Sequence, residues 1–413
     1  MVTADLNNKK VLFFHADMYR PGGSERLMVE EVKYFEGIGA DTDIITFQYS
    51  REALFNESFK ANIHQLIGKN LLYATPLAQR VLYMPRMVLA LRKEIKRIRP
   101  DIIIGRSSFE CIYLYLATLF TSFAYVTHVH STVSRDSGDL RQFACIYRKA
   151  LRKIAQFTPG HREFNPRLAP EANPLKRIIS EITALVEYLA VRKANRIIVL
   201  SNQMQDEVKE LYHKDAAVIK GAFPAAILSY QPRQDIRERL GLSGKRIVLN
   251  ICRLIPRKRV DLAIRAFQKI SGKYPDLVLV IGGTGPEDPN LKDLSAKLGI
   301  EDRVRFIGFV PDDDLWDYYI AGDVFVSLDW ADFGISAYEA LALQKKIIWS
   351  TEVETDDYLS GNQHIFAANP TIEDTAQAME KALDTEVSEP FDMSPYTWQR
   401  YCERVTELLR PLV

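Results

Sequence analysis

The sequence predicts an α/β protein made of two doubly wound, Rossmann-like domains, each a parallel sheet with helices on both faces. Short, continuous apolar and β-branched runs recur along the chain, helix-length stretches divide them, and the pattern restarts after Tyr212. Continuous rather than alternating runs mark strands buried on both faces, which is the habit of parallel sheets.

Lys10 to Phe14 reads as the first strand, followed by a Pro21-Gly22-Gly23 loop and an amphipathic helix from about Ser24 to Phe35. Asp43 to Phe47, Asp101 to Ile104, Ala124 to Thr127 and Arg196 to Leu200 supply further strands. The uncharged stretch from Cys111 to Thr127 is too short for the roughly 20 residues a membrane span needs, so it reads as a buried helix feeding a buried strand. In the second half, strands at 246–251, 277–281, 304–307, 324–328 and 346–349 alternate with helices near 260–272, 288–299, 312–321 and 337–343. A last helix runs from about Pro395 to Leu409, N-capped by Ser394, with the apolar stripe Trp398, Tyr401, Val405 and Leu408. Domains are expected at 1–205 and 206–390. No Gly/Ser linker separates them, so direct packing around a cleft is expected.

A chain of 413 residues, 47% apolar and 26% charged, suits two globular domains and excludes disorder as the main state. Cys111, Cys145, Cys252 and Cys402 lack metal or redox spacing and read as reduced thiols. The polar segment from Met1 to Lys10 has no apolar signal-peptide core, so a cytoplasmic location is expected. Net charge is only +1 and no nucleic-acid partner is expected, yet the charge is uneven. Lys69 to Arg99 holds eight Lys/Arg against one acid, and Arg141 to Lys193 eleven against four, each a local excess of +7. Such asymmetry points to an anionic partner, either a membrane surface or a phosphate-bearing acceptor. Within the first stretch, Leu82, Met84, Met87, Val88 and Leu91 are interleaved with Arg80, Arg86, Arg92, Lys93, Lys96 and Arg97. An apolar stripe flanked by cations suits a helix lying in a membrane interface, the alternative being that the stripe packs into the protein and leaves the cations solvated.

The chemistry concentrates between Asn250 and Glu339. Ligands of open parallel sheets sit beyond the carboxyl ends of the strands, where Arg253, Gly282-Gly283 and Asp329 to Gly334 all emerge. Arg253 offers a planar fork and Lys258 a point charge, which together can neutralise two phosphates without a metal. Phe333-Gly334-Ile335-Ser336 enters a helix whose backbone N–H groups can bind phosphate oxygens or sugar hydroxyls. Glu339, expected in that helix's first turn, can accept both hydroxyls of a ribose. Asp41-Thr42-Asp43 and Asp312-Asp313-Asp314 are read as structural acids, and no metal is expected.

Arg253 and Lys258, the Gly282 to Glu287 turn, the strand Val304-Arg305-Phe306-Ile307-Gly308 and Phe333-Gly334 with Glu339-Ala340-Leu341 together resemble glycosyltransferase family 4, retaining enzymes of the GT-B fold. Pro21-Gly22-Gly23-Ser24-Glu25 resembles the family's first glycine loop, and His128-Val129-His130-Ser131-Thr132 its histidine segment. The likeness covers nearly the whole chain, including a final helix (395–413) similar to the tail that crosses back onto the first, acceptor-side domain. The resemblance implies that Arg253 and Lys258 meet the donor diphosphate, Glu339 the ribose, and Gly22-Gly23 the donor phosphates from the opposite domain. It sets His130 beside the donor sugar, with His128 as the competing candidate. Gly283 and the Phe333 to Ser336 segment belong to the same donor site.

Two departures stand out. The family usually carries two glutamates eight positions apart, and that position is Ala331 here, with Asp332 its neighbour. Lys220-Gly221-Ala222 stands where an Asn-Gly turn is common. The expected activity is retaining transfer of a hexose from a nucleotide diphosphate-sugar to an acceptor hydroxyl, on a glycan or a membrane lipid-linked glycan, with no cofactor. Asp332, His130, Arg253 and Lys258 are the expected catalytic residues. The alternatives are a nucleotide-sugar-binding protein without turnover and a soluble polysaccharide or small-molecule glycosyltransferase.

Overall fold

The computed structural model describes residues 6–19, 22–55, 57–66, 77–129, 144–157, 174–329, 333–353 and 355–413. They form two compact units: the chain up to Lys220 together with Trp398–Val413, and Gly221–Thr397.

The first unit contains β1 (Lys10–Phe14), β2 (Asp17–Met18), α1 (Gly23–Gly37), β3 (Asp41–Thr46), β4 (Gln48–Tyr49), β5 (Asn62–Gln65), α2 (Leu77–Ile98) and β6 (Ile102–Gly105). It continues through α3 (Cys111–Thr118), β7 (Ala124–Val129), α4 (Arg148–Phe157), α5 (Pro174–Lys193), β8 (Arg196–Val199), α6 (Asn202–Tyr212) and β9 (Ala217–Val218). Seven of these strands form one parallel sheet in the order β5-β3-β1-β6-β7-β8-β9, while β2 and β4 pair separately. Because β9 pairs with β8, the unit extends past residue 205. Right-handed crossovers place α1 on one face and α2, α3, α5 and α6 on the other. Accordingly α2 packs on α3, α3 on α5, and α5 on α6.

That layer corrects the expectation for the stripe of α2. Met87, Leu91, Ile95 and Ile98 are buried, and Arg92 donates to the carbonyls of Ala117 (3.5 Å) and Leu119 (2.9 Å) at the end of α3. The apolar stripe therefore faces the protein. Cys111–Thr118 is the short buried helix expected, and no described helix is long and apolar enough to cross a membrane.

The second unit contains α7 (Ile236–Arg239), β10 (Arg246–Ile251), α8 (Val260–Ser271), β11 (Leu277–Gly282), α9 (Asp288–Lys297) and β12 (Val304–Gly308). Then follow α10 (Asp312–Ala321), β13 (Val324–Ser327), α11 (Ile335–Ala342), β14 (Lys346–Ser350), β15 (Ile365–Ala368) and α12 (Ile372–Asp384). Its six parallel strands run β12-β11-β10-β13-β14-β15. Successive residues go to opposite faces, as strand geometry requires. Val248, Leu279 and Val326 enter one apolar cluster, and Leu249, Val280 and Phe325 the other.

The final helix begins later than expected. Ser394–Tyr396 is a single 3-10 turn, Thr397 is extended, and α13 (Trp398–Leu409) then packs on α1 in the first unit. Its Tyr401 hydroxyl donates to Oε1 of Glu31 (2.6 Å), and Arg106 donates to the other carboxylate oxygen (2.8 Å). Glu31, Arg106 and Tyr401 are all fully buried, so this group ties the last helix to α1 and to the exit of β6.

Candidate active site

In each sheet the strand order reverses at one place, which is where open α/β sheets hold ligands. In the second unit the reversal lies between β10 and β13. Arg253 leaves β10 there. Its side chain is exposed and no ion pair holds it among the described residues, so its fork is available to an anion. Lys258 ends the turn Pro256–Lys258, where its ammonium pairs with Asp329 just past β13, and Arg257 Nε lies 3.6 Å from the other oxygen. Arg259, at φ +49°, pairs with the buried Glu352 after β14. A band of cations thus crosses three strand ends, with Asp329 and Glu352 fixing two of them. Asp329 is the residue that sequence reasoning missed. Only the pairing of β10 with β13 brings it to Lys258.

The glycine turn after β11 has a mechanical role. Gly283 stands at φ +115°, and a Cβ there would lie 1.8 Å from the Cys252 carbonyl oxygen. One at Gly285 would lie 2.1 Å from that of Leu254. The Cys252 and Leu254 amides donate to Gly282 and Thr284 (3.1 and 2.9 Å), so the turn and the loop carrying Arg253 are joined strand-like. Gly283 therefore positions Arg253 by letting two backbones touch. Cys252 in this loop is half-buried, and burial pushes its thiol up to about 12.

Gly334 caps α11 with no side-chain hydrogen bond; the Ala337 and Tyr338 amides donate to its carbonyl, which leaves those of Ile335 and Ser336 for an anion among the described residues. Phe333 stacks on Tyr338 with ring centroids 4.5 Å apart. Ile335 and Ser336 open the helix, and Glu339 stands in its second turn rather than its first. There the Tyr319 hydroxyl donates to Glu339 Oε2 (3.3 Å). Burial, and then the neighbouring carboxylate, hold Tyr319 well above the usual phenol range, so it remains a donor. Asp312 to Asp314 open α10, and Asp314 takes Gln234 and Arg239 as partners. Asp41 begins β3, whose Asp43 meets His64 (2.9 Å).

In the first unit the reversal lies between β1 and β6. His15, just past β1, places Nδ1 2.9 Å from Glu110 and Nε2 3.2 Å from Glu25 of α1. Burial opposes its charged form, but Glu110 and Glu25 together outweigh that and raise its pKa to about 9. Gly22 caps α1 and Gly23 opens it, directly beside this cluster. His128, by contrast, is fully buried in β7, 3.4 Å from the Tyr401 hydroxyl and from Glu31, and belongs to the packing of α13. Lys220 is buried at the end of the first unit. His130, Pro21, Ala331 and Asp332 lie outside the described residues.

Comparison with known proteins bears on the family and the fold. The family described as Glycosyltransferase Family 4 matches residues 21–221, and that described as Glycosyl transferases group 1 matches residues 232–399. Mannosylfructose-phosphate synthase of Agrobacterium fabrum is 35% identical over 33% of this chain and 32% of its own length. The GPI3 subunit of phosphatidylinositol N-acetylglucosaminyltransferase from Saccharomyces cerevisiae is 23% identical over 52% of this chain and 50% of its own. The matches thus span no more than about half the length of these relatives. Among solved structures, Anabaena Alr3699/HepE in complex with UDP and glucose superposes with a TM-score of 0.71 at 16% identity, covering 98% of this chain and 100% of that one. With two parallel-sheet units, a final helix returned to the first, and both family matches in register with them, the chain is a glycosyltransferase of family 4 with the GT-B fold.

Proposed function

We propose that the protein is a retaining hexosyltransferase that takes a nucleotide diphosphate-sugar as donor and an acceptor hydroxyl on a membrane lipid-linked glycan. The observation that carries the donor side is the exposed guanidinium of Arg253, without an ion pair among the described residues, on a loop that the Gly283 contact fixes at the strand reversal between β10 and β13. The diphosphate would lie across Arg253 and Lys258, with α11 amides completing the cradle and Glu339 taking the ribose. Charge grows on the diphosphate as the glycosidic bond breaks, so these cations stabilise the transition state more than the ground state. The acceptor then attacks on the face that the leaving group departs from, and the departing phosphate oxygen takes its proton. Asp332 is proposed to replace the acid absent at Ala331, and His130 to border the sugar.

The likeness to the GPI3 subunit supports a lipid-linked acceptor. The likeness to mannosylfructose-phosphate synthase supports the alternative of a soluble one. Thermal shift against UDP-, GDP- and ADP-sugars tests the donor, because a ligand at about 100 times its Kd stabilises by about 2.7 kcal/mol. Stabilisation by one base series is expected, followed by NMR detection of a product with the donor's anomeric configuration. An inverted product would refute retention, and indifference to every nucleotide sugar would refute the donor class.

A further inference from the structure

Helix α5 has two apolar faces, and the larger side chains are on the wrong one for a soluble surface. Ser180, Ala184, Ala190 and Val191 turn inward against the first unit, together with Glu187, which accepts from the Tyr212 hydroxyl (3.2 Å). Leu175, Ile178, Ile182, Leu185 and Leu189 turn outward, each 42–64% exposed. Their spacing of three and four residues draws one straight stripe about 21 Å long. Isolated exposed leucines need no explanation, but five aligned aliphatic side chains on one helix do.

A second, independent feature lies in the same helix layer. Phe120, just past α3, is 98% exposed and stands at φ +61°, a left-handed conformation that glycine or asparagine adopts at less cost. Its ring gains no packing in return. Leu89 of α2, 65% exposed, shares a helix stripe with the exposed cations Lys93 and Lys96. Among the described side chains of α5, Arg177, Arg192 and Lys193 are exposed cations, Arg192 also donating to the Tyr212 carbonyl (3.1 Å). The acids nearby are already engaged: Glu94 pairs with Arg97 and His64, and Glu181 accepts from the Cys145 amide.

We infer that the α2–α3–α5 layer docks on an anionic lipid bilayer, with the α5 stripe and Phe120 entering the headgroup region and the flanking cations meeting lipid phosphates. Charge complementarity selects this occupant, since apolar side chains bordered by unopposed cations match an interface with apolar depth and a negative surface. The inference rests on the lipid-linked acceptor proposed above, but its test does not use turnover.

Flotation with vesicles of phosphatidylcholine, with and without phosphatidylserine, measures docking by the intact chain. Binding should require phosphatidylserine and weaken as salt shortens the screening length. The triple variant Ile178→Gln/Ile182→Gln/Leu185→Gln should lower vesicle partition by about tenfold or more. Phe120→Asn should weaken binding while melting at or above the wild-type temperature, a pairing of signs that a packing role cannot give. Binding that ignores both variants would overturn the proposal, as would none at all. A concentration-dependent dimer that the triple variant dissolves would assign the stripe to a second copy instead, and a large fall in its melting temperature would show that the chain itself covers the stripe. Nucleotide-induced thermal shift of the same variants should match wild type, so failure of docking is separable from failure of the donor assignment.

Discussion

Replacing Gly283 by alanine should damage the donor site without removing a single side chain. The added Cβ meets the Cys252 carbonyl oxygen at 1.8 Å, far inside contact distance, and the residue stands at φ +115°. The left-handed side of the map costs a non-glycine residue about 1–2 kcal/mol. Relieving the overlap parts the turn from the β10 exit loop, which gives up the Cys252 and Leu254 amide hydrogen bonds at about 1 kcal/mol net each. The sum, about 3–4 kcal/mol, should lower the melting temperature of a unit this size by about 6–16 °C. Fluorescence of Trp316 and Trp349 reports that unit directly. The displaced loop carries Arg253, so nucleotide affinity should fall as well. Gly334→Ala is the control: its nearest obstacle is the Ala337 Cβ at 4.0 Å, and stability should stay within about 0.5 kcal/mol. If Gly283→Ala melted with the wild type, the argument that backbone contact positions Arg253 would be wrong.

Lys258→Ala should reduce kcat/KM by tenfold to a hundredfold or more, through loss of roughly 1.5–3 kcal/mol of charge-assisted bonding, and should also lower the melting temperature because the buried Asp329 loses the ammonium paired with it, Arg257 Nε lying farther off at 3.6 Å. Tyr401→Phe should cost about 1–2 kcal/mol in urea unfolding, and Arg106→Met about 3–5 kcal/mol, since the second change leaves the Glu31 carboxylate buried without its cation. His15 is raised from 6.5 to about 9, so its stabilising contribution is complete below pH 6.5 and is lost as pH climbs through about 9. The loss is on the order of 3 kcal/mol, and Glu110→Gln should flatten that part of the melting-versus-pH curve.

Both sheets were legible because their central strands, such as Arg246–Ile251 and Lys10–Phe14, are nearly continuous apolar runs with no competing period. The edge strands escaped notice. Asn62–Gln65 has one strongly apolar residue, and Ala217–Val218 is too short to show a pattern. Arg253 could be singled out from its place after a strand, but Asp329 could not be assigned to Lys258, because an ion pair 71 residues apart is fixed only by strand order. The stripe of α2 was read as interfacial and that of α5 was not read at all, for a physical reason: periodicity shows that a helix has an apolar face but not which element covers it, and α2 packs on α3. In α5 the inward face is Ser180, Ala184, Glu187, Ala190 and Val191, and a reading that sends large aliphatic side chains inward misses it.

Titration calorimetry of the preferred nucleoside diphosphate, with wild type and Arg253→Ala side by side, tests the donor assignment most directly. The Arg253 side chain is exposed and carries no ion pair among the described residues, so the variant should melt with the wild type while its Kd rises by tenfold to a hundredfold or more, the equivalent of roughly 1.5–3 kcal/mol of lost charge-assisted bonding. An unchanged Kd in a variant of unchanged stability would place the diphosphate somewhere other than the reversal between β10 and β13.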